Sequence, residues 1–301
     1  MKSSHKVQSA ESLLISTESM LIALLSLGGI IGGCFLLGHL VTNIFCDICL
    51  ACGLPIPWIE AIALQISHII YFLLPPVAYL YYADKALGLD MLKNCAFVGK
   101  HFFIVTLILL LHILLIFCVV ARYITTLPPG VMSPDLDAIA HTDSLVYFLW
   151  RGVVLFAIFP GVGEELLFRG IFQPIILGYT KRPYLAILIT SFLFAMIHAS
   201  FYQAFVVFGF SLLSGYIYHS TGNISLVMFM HFLNNSFCSG ITYYIAHFPS
   251  SDTATDDIPY IIKHTFWYIS ILATCVGCIA MLLRQLHKPK KTQWLMGYGY
   301  L

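Results

Sequence analysis

The sequence predicts an all-α, polytopic membrane protein, and three observations predict it: 59% of the 301 residues are hydrophobic, only 10% are charged, and the mean hydropathy is +0.89. A soluble domain of this length needs far more polar surface. The apolar runs divide into about eight segments long enough to cross a bilayer, with the chemistry expected inside the bundle. Formal net charge is +1, which gives no electrostatic signal for nucleic acid or an acidic partner.

Residues 1–18 form a polar, expected cytoplasmic segment with Lys2 and Lys6. Residues 19–143 should hold the first three spans. The run from Met20 to Ile44 is too long for a signal-peptide core and should stay as a helix. A second runs from Pro57 to Tyr82, broken near Pro75 and Pro76, and a third from His101 to Ala121. Lys85, Lys93 and Lys100 lie between those two spans, whereas Asp135, Asp137 and Asp143 follow the third, so the lysine loop and the N-terminus are expected inside.

Residues 144–246 read as a catalytic core. The stretch from Ser144 to Thr180 is too long for one straight span, and Pro160, Gly161 and Gly163 should kink or break it. Short turns then join spans from Tyr184 to His198, Tyr202 to His219 and Ile224 to Ala246, which forces antiparallel neighbours. Residues 247–301 hold an acidic loop with Asp252, Asp256 and Asp257, a last span from Thr265 to Leu283, and a cytoplasmic tail with Arg284, Lys288, Lys290 and Lys291. That tail suits an anchor to lipid headgroups.

Within this oily chain, Glu164, Glu165 and Arg169 need a reason, because an ionised carboxylate at membrane depth is costly unless paired or hydrated. On a helix starting near Gly163, Glu165 and Arg169 stand four apart in the favourable acid-before-base order, while Glu164 points about 100° away. Arg169 is then expected to tie down Glu165 as a structural ion pair and to leave Glu164 for chemistry. Two later segments add polar groups at depth: His198, four residues after Phe194, and His231 with Asn235, four apart on one helix face. A carboxylate, an imidazole and a pair of donors are what hydrolysis of an amide by activated water requires.

In this order, Glu164-Glu165-x-x-x-Arg169, Phe194-x-x-x-His198 and His231-x-x-x-Asn235 resemble the three motifs of the CPBP intramembrane proteases, the Abi family that includes the Rce1-type CAAX prenyl endopeptidases. The resemblance covers residues 145–246, including the Phe168-Arg169-Gly170 that follows the acidic pair. It implies that Glu164 with His198 activates water, that His231 and Asn235 form an oxyanion hole, and that Glu165 and Arg169 hold the site together. The implied substrate is a membrane-embedded or lipid-anchored protein or peptide. The expected setting is a bacterial cell membrane, with the lipid bilayer as the other partner and both termini cytoplasmic. No cofactor is expected. Zinc held by the histidines is the alternative, disfavoured because there is no His-Glu-x-x-His and asparagine is a poor zinc ligand.

Other functions fit less well. A non-enzymatic scaffold or bacteriocin-immunity-type protein could keep the same residues, and a transporter could use the carboxylates and histidines to relay protons. No second copy of the 144–180 pattern supports a transporter. Cys46, Cys49 and Cys52 repeat in what reads as a connecting segment but lack a fourth metal ligand, and Cys275 with Cys278 reads as packing in the last span. His68 and His112 read as satisfied core residues, His219 and Asn223 as ordinary turn residues, and Arg151 as a partner for Glu60.

Overall fold

A computed structural model describes residues 17–87, 99–123, 139–198, 201–247 and 265–286. These are helical throughout apart from short turns, with no strand among the described residues. Among the described residues, five helices are long and apolar enough to cross a membrane: Leu25–Ala51, Trp58–Tyr81, Gly99–Ile116, Leu145–Thr180 and Ile224–Tyr244. Pro183–Met196 and Cys275–Leu286 are apolar but shorter. The chain is a helical membrane protein. Lys93, Asp135, Asp137 and the acidic loop before Thr265 lie outside the described residues.

The chain forms two compact units. Of the described residues, the first takes 17–87 and 162–190. In it α1 (Thr17–Ala51) packs along α2 (Ile56–His68), the π-helix π1 (Ile69–Leu73) and α3 (Leu74–Leu87). α3 in turn packs on π3 (Leu166–Phe172), and α1 touches α7 (Gln173–Thr180). The second unit takes residues 96–161 and 191–288. There α4 (Gly99–Tyr123) packs on α11 (Thr265–Leu286), and α10 (Ile224–His247) packs on α4, on π2 (Leu149–Ile158) and on α9 (Phe201–Thr221). The remaining elements are α5 (Leu145–Phe148), α6 (Phe159–Glu165) and α8 (Pro183–Met196).

The helix is not broken at Pro75–Pro76, where a break was expected, nor at Pro160, where a kink or break was expected; its preceding turn widens instead. Each of the three described π-helices stops two residues before a proline: π1 before Pro75, π2 before Pro160, π3 before Pro174. In each case the residue just ahead of the proline donates its N–H five positions back, Leu74 to Ile69, Phe159 to Val154 and Gln173 to Phe168. A proline cannot donate to the carbonyl four positions back, and its ring collides with that carbonyl in an α-helix. Widening the preceding turn moves the carbonyl aside and keeps the helix continuous. Helix therefore runs from Leu145 to Thr180 and does not start near Gly163.

Turn chemistry fixes the other ends. Gly222, with φ of +65°, follows α9 and sends its N–H to the Tyr218 carbonyl at 2.7 Å, a left-handed exit that glycine makes without strain. Asn223 then caps α10: its Oδ1 accepts from the Leu226 N–H at 3.2 Å. The sequence reading took Asn223 for an ordinary turn residue, but it is buried and starts the helix that carries His231. Cys46 and Cys49 lie within α1 rather than in a connection, with Cys52 just past its end, and all three are free thiols.

Candidate active site

The carboxylates belong to the first unit. Glu165 and Arg169 are each 0% exposed, and Arg169 Nη1 donates to Glu165 Oε1 at 3.0 Å. Gln173, four residues further on, is 2% exposed, so that Glu165, Arg169 and Gln173 form one buried polar stripe down the helix. The sequence reading missed Gln173. Its signal was present: a third polar residue at the same four-residue interval.

Glu164 is 9% exposed, at the end of α6. The residue before it is in close backbone contact. A methyl group on Gly163 would lie 2.7 Å from the carbonyl oxygen of Phe72 and 2.9 Å from its carbon. Phe72 is four residues before Pro76, so this carbonyl is one that an α-helix would have paired with an N–H that proline lacks. Only glycine allows the helix bearing the acid pair to seat against it.

The histidines and Asn235 belong to the second unit. His198 sits two residues past the end of α8, where its Nδ1 lies 2.9 Å from the carbonyl of Phe194. A carbonyl only accepts, so Nδ1 carries the hydrogen and the neutral ring keeps a lone pair on Nε2. The Phe194 ring stands edge-on to both histidines, 5.2 Å from His198 and 6.0 Å from His231 between ring centres. Phe210, from α9, meets His231 edge-on from another helix at 5.1 Å. His231 is 4% exposed and flanked by these two aromatic rings. Phe210 was not singled out from sequence, since a phenylalanine in an apolar span carries no signal of its neighbour.

Asn235 is committed in an unexpected direction. Its Nδ2 donates to the carbonyl of Phe156 at 2.9 Å, and its Oδ1 accepts from Asn234 Nδ2 at 3.1 Å. Elsewhere in this unit Arg151, for which Glu60 was the expected partner, donates from Nη1 to the hydroxyl of Tyr147 at 2.9 Å, whereas Glu60 is exposed on α2. His112 is buried as expected but is not satisfied, because its Nε2 has no hydrogen-bond partner among the described residues. Within neither unit do three or more His, Cys, Asp or Glu side chains among the described residues form a group able to hold a metal ion.

A family model described as type II CAAX prenyl endopeptidase Rce1-like matches residues 146–237. That segment includes both carboxylates, Arg169, both histidines and Asn235. No curated protein and no solved structure matches the chain. Residues 146–237 are thus similar to the type II CAAX prenyl endopeptidase Rce1-like family.

Proposed function

We propose that the protein is an intramembrane endopeptidase that hydrolyses a peptide bond of a membrane-anchored or lipidated protein. The observation that carries this reading is the family match across residues 146–237, which takes in all three polar motifs. In the proposed reaction Glu164 takes a proton from water while the water oxygen bonds to the scissile carbonyl carbon. His198, through its Nε2 lone pair, accepts the second hydrogen bond of that water and orients it. The carbonyl oxygen becomes an oxyanion, to which His231 and Asn235 donate. The C–N bond then breaks, and the leaving amine receives the proton held by Glu164. Glu165 and Arg169 take no part in the bond changes. The distribution of lysines and aspartates supports a reading in which both termini are cytoplasmic.

No metal enters this reading. Asn235 is a poor ligand, and its amide oxygen already accepts from Asn234. The test is cleavage of a farnesylated CAAX-type peptide by the purified protein in liposomes, followed by mass spectrometry. Wild type should release the C-terminal fragment, and should continue to do so after treatment with a strong chelator. Glu164→Gln and His198→Ala should be folded and inactive. Activity in a folded Glu164→Gln protein would remove the glutamate base, and activity lost to chelation and restored by Zn²⁺ would replace it with the zinc alternative.

A further inference from the structure

We propose that Pro160 is a positioning residue for Asn235, acting through the main-chain carbonyl of Phe156. That carbonyl accepts the Asn235 amide N–H across 79 residues of sequence. In an uninterrupted α-helix it would accept from residue 160, and proline has no N–H to give. A side chain of the right kind, on another helix, donates to it. A carbonyl can only accept, so the Asn235 amide must present Nδ2 to Phe156 and Oδ1 to Asn234, and both contacts fix the same orientation. One Nδ2 hydrogen is used, and the direction of the other follows from the planarity of the amide.

The seam around this bond is close on both sides. A methyl group on Gly152 would lie 3.2 Å from the Cβ of Ser239, and one on Gly161 would lie 3.2 Å from the Phe232 nitrogen and 3.4 Å from the Met228 carbonyl oxygen. Phe156 with Asn235 falls between these two points in both helices. The two glycines therefore let the helices approach, and the Phe156 carbonyl decides which way the asparagine faces. Pro160 would be unfavourable here on helix propensity alone. Its use is to keep Phe156 available as an acceptor. That the second N–H of Asn235 serves an oxyanion rests on the proposed function; the lock itself does not.

The lock is tested without substrate, by a double-mutant cycle on the full-length protein in detergent. Asn235→Ala should lower Tm by roughly 2–4 °C, the shift for losing one part-buried hydrogen bond in a chain of this size. In a Pro160→Ala background the new N–H can bond to Phe156, and Asn235→Ala should then cost less than about a third of that. Asn235→Ala protein that folds only when Pro160→Ala is present would give the same answer. Equal shifts in the two backgrounds, or none in either, would overturn the proposal. Near-isosteric Asn235→Asp, whose carboxylate cannot donate, should lower Tm as Asn235→Ala does, and a Tm equal to wild type would count against the bond.

Kinetics on the farnesylated peptide then read the aiming. Pro160→Ala should lower kcat about tenfold with KM unchanged, because a misdirected donor weakens only the transition state. An unchanged kcat would limit Pro160 to a structural role. Failure of wild type to cleave the peptide would count against the proposed function and leave the thermal cycle standing.

Discussion

The segment bearing the carboxylates and the helix bearing His231 are both buried in oily surroundings, yet they are held by different forces. Glu165 and Arg169 hold each other by charge, with no exposure on either side chain. His231 meets two aromatic rings edge-on and Asn235 bonds a main-chain carbonyl, contacts that are themselves uncharged. The difference matters for tolerance. A buried ion pair cannot lose one member without stranding the other, whereas an aromatic edge or a single neutral hydrogen bond fails by a smaller and more graded amount.

The largest expected effect comes from breaking the charged side of this contrast. Arg169→Ala removes the cation bonded to the buried Glu165 carboxylate, and should destabilise by about 3–5 kcal/mol. Much of the protein should fail to reach the folded, monodisperse fraction in detergent. Replacing both partners by apolar residues, Glu165→Leu with Arg169→Met, should recover most of that fraction, because the cost lies in the stranded charge rather than in the lost pair. A folded, heat-stable Arg169→Ala protein with no activity would move Arg169 from the scaffold into the chemistry.

How far the sequence reached follows from the same division. Charges and periodicity are local, so the spans near Leu25, Gly99 and Ile224 and the Glu165–Arg169 pair could be read directly from spacing. Prolines were also visible, and a break was among their expected consequences, because a single chain does not reveal that the turn before each proline widens to bond five residues back and keeps the helix continuous. The partners of the freed carbonyls were out of reach. Gly163 meets Phe72 and Asn235 meets Phe156 across long sequence separations, and nothing in either local pattern names the other. Gln173 lay within reach at the next four-residue step after Arg169, as did the capping role of Asn223 three residues before Leu226.

An intermediate effect is expected where the charged segment depends on space rather than charge. Gly163→Ala puts a methyl group within 2.7 Å of the Phe72 carbonyl oxygen, a main-chain atom that cannot swing away as a side-chain end could. Overpacking of this kind costs about 1–3 kcal/mol. Thermal unfolding should show the loss while the Glu165–Arg169 pair is retained. Gly163→Ala with the wild-type Tm would mean that α6 can slide past Phe72, and that the close approach is not what seats the acid pair.

The smallest effect tests the uncharged side. Phe210→Leu keeps the site apolar and roughly filled but removes the ring edge from His231, a contact worth about 0.5–1.5 kcal/mol beyond the area it buries. The drop in Tm should be correspondingly modest. The more telling readout is the His231 imidazole itself, followed by ¹⁵N NMR in selectively labelled protein. With Phe194 still in place on one side and an aliphatic chain on the other, the ring should sample more than one orientation, broadening its signals while those of His198 stay sharp. If both histidines broaden together, Phe194 has moved as well, and the two rings act as one wall. If neither changes, ring contact is not what orients His231, and a hydrogen bond of that imidazole must carry the orientation instead.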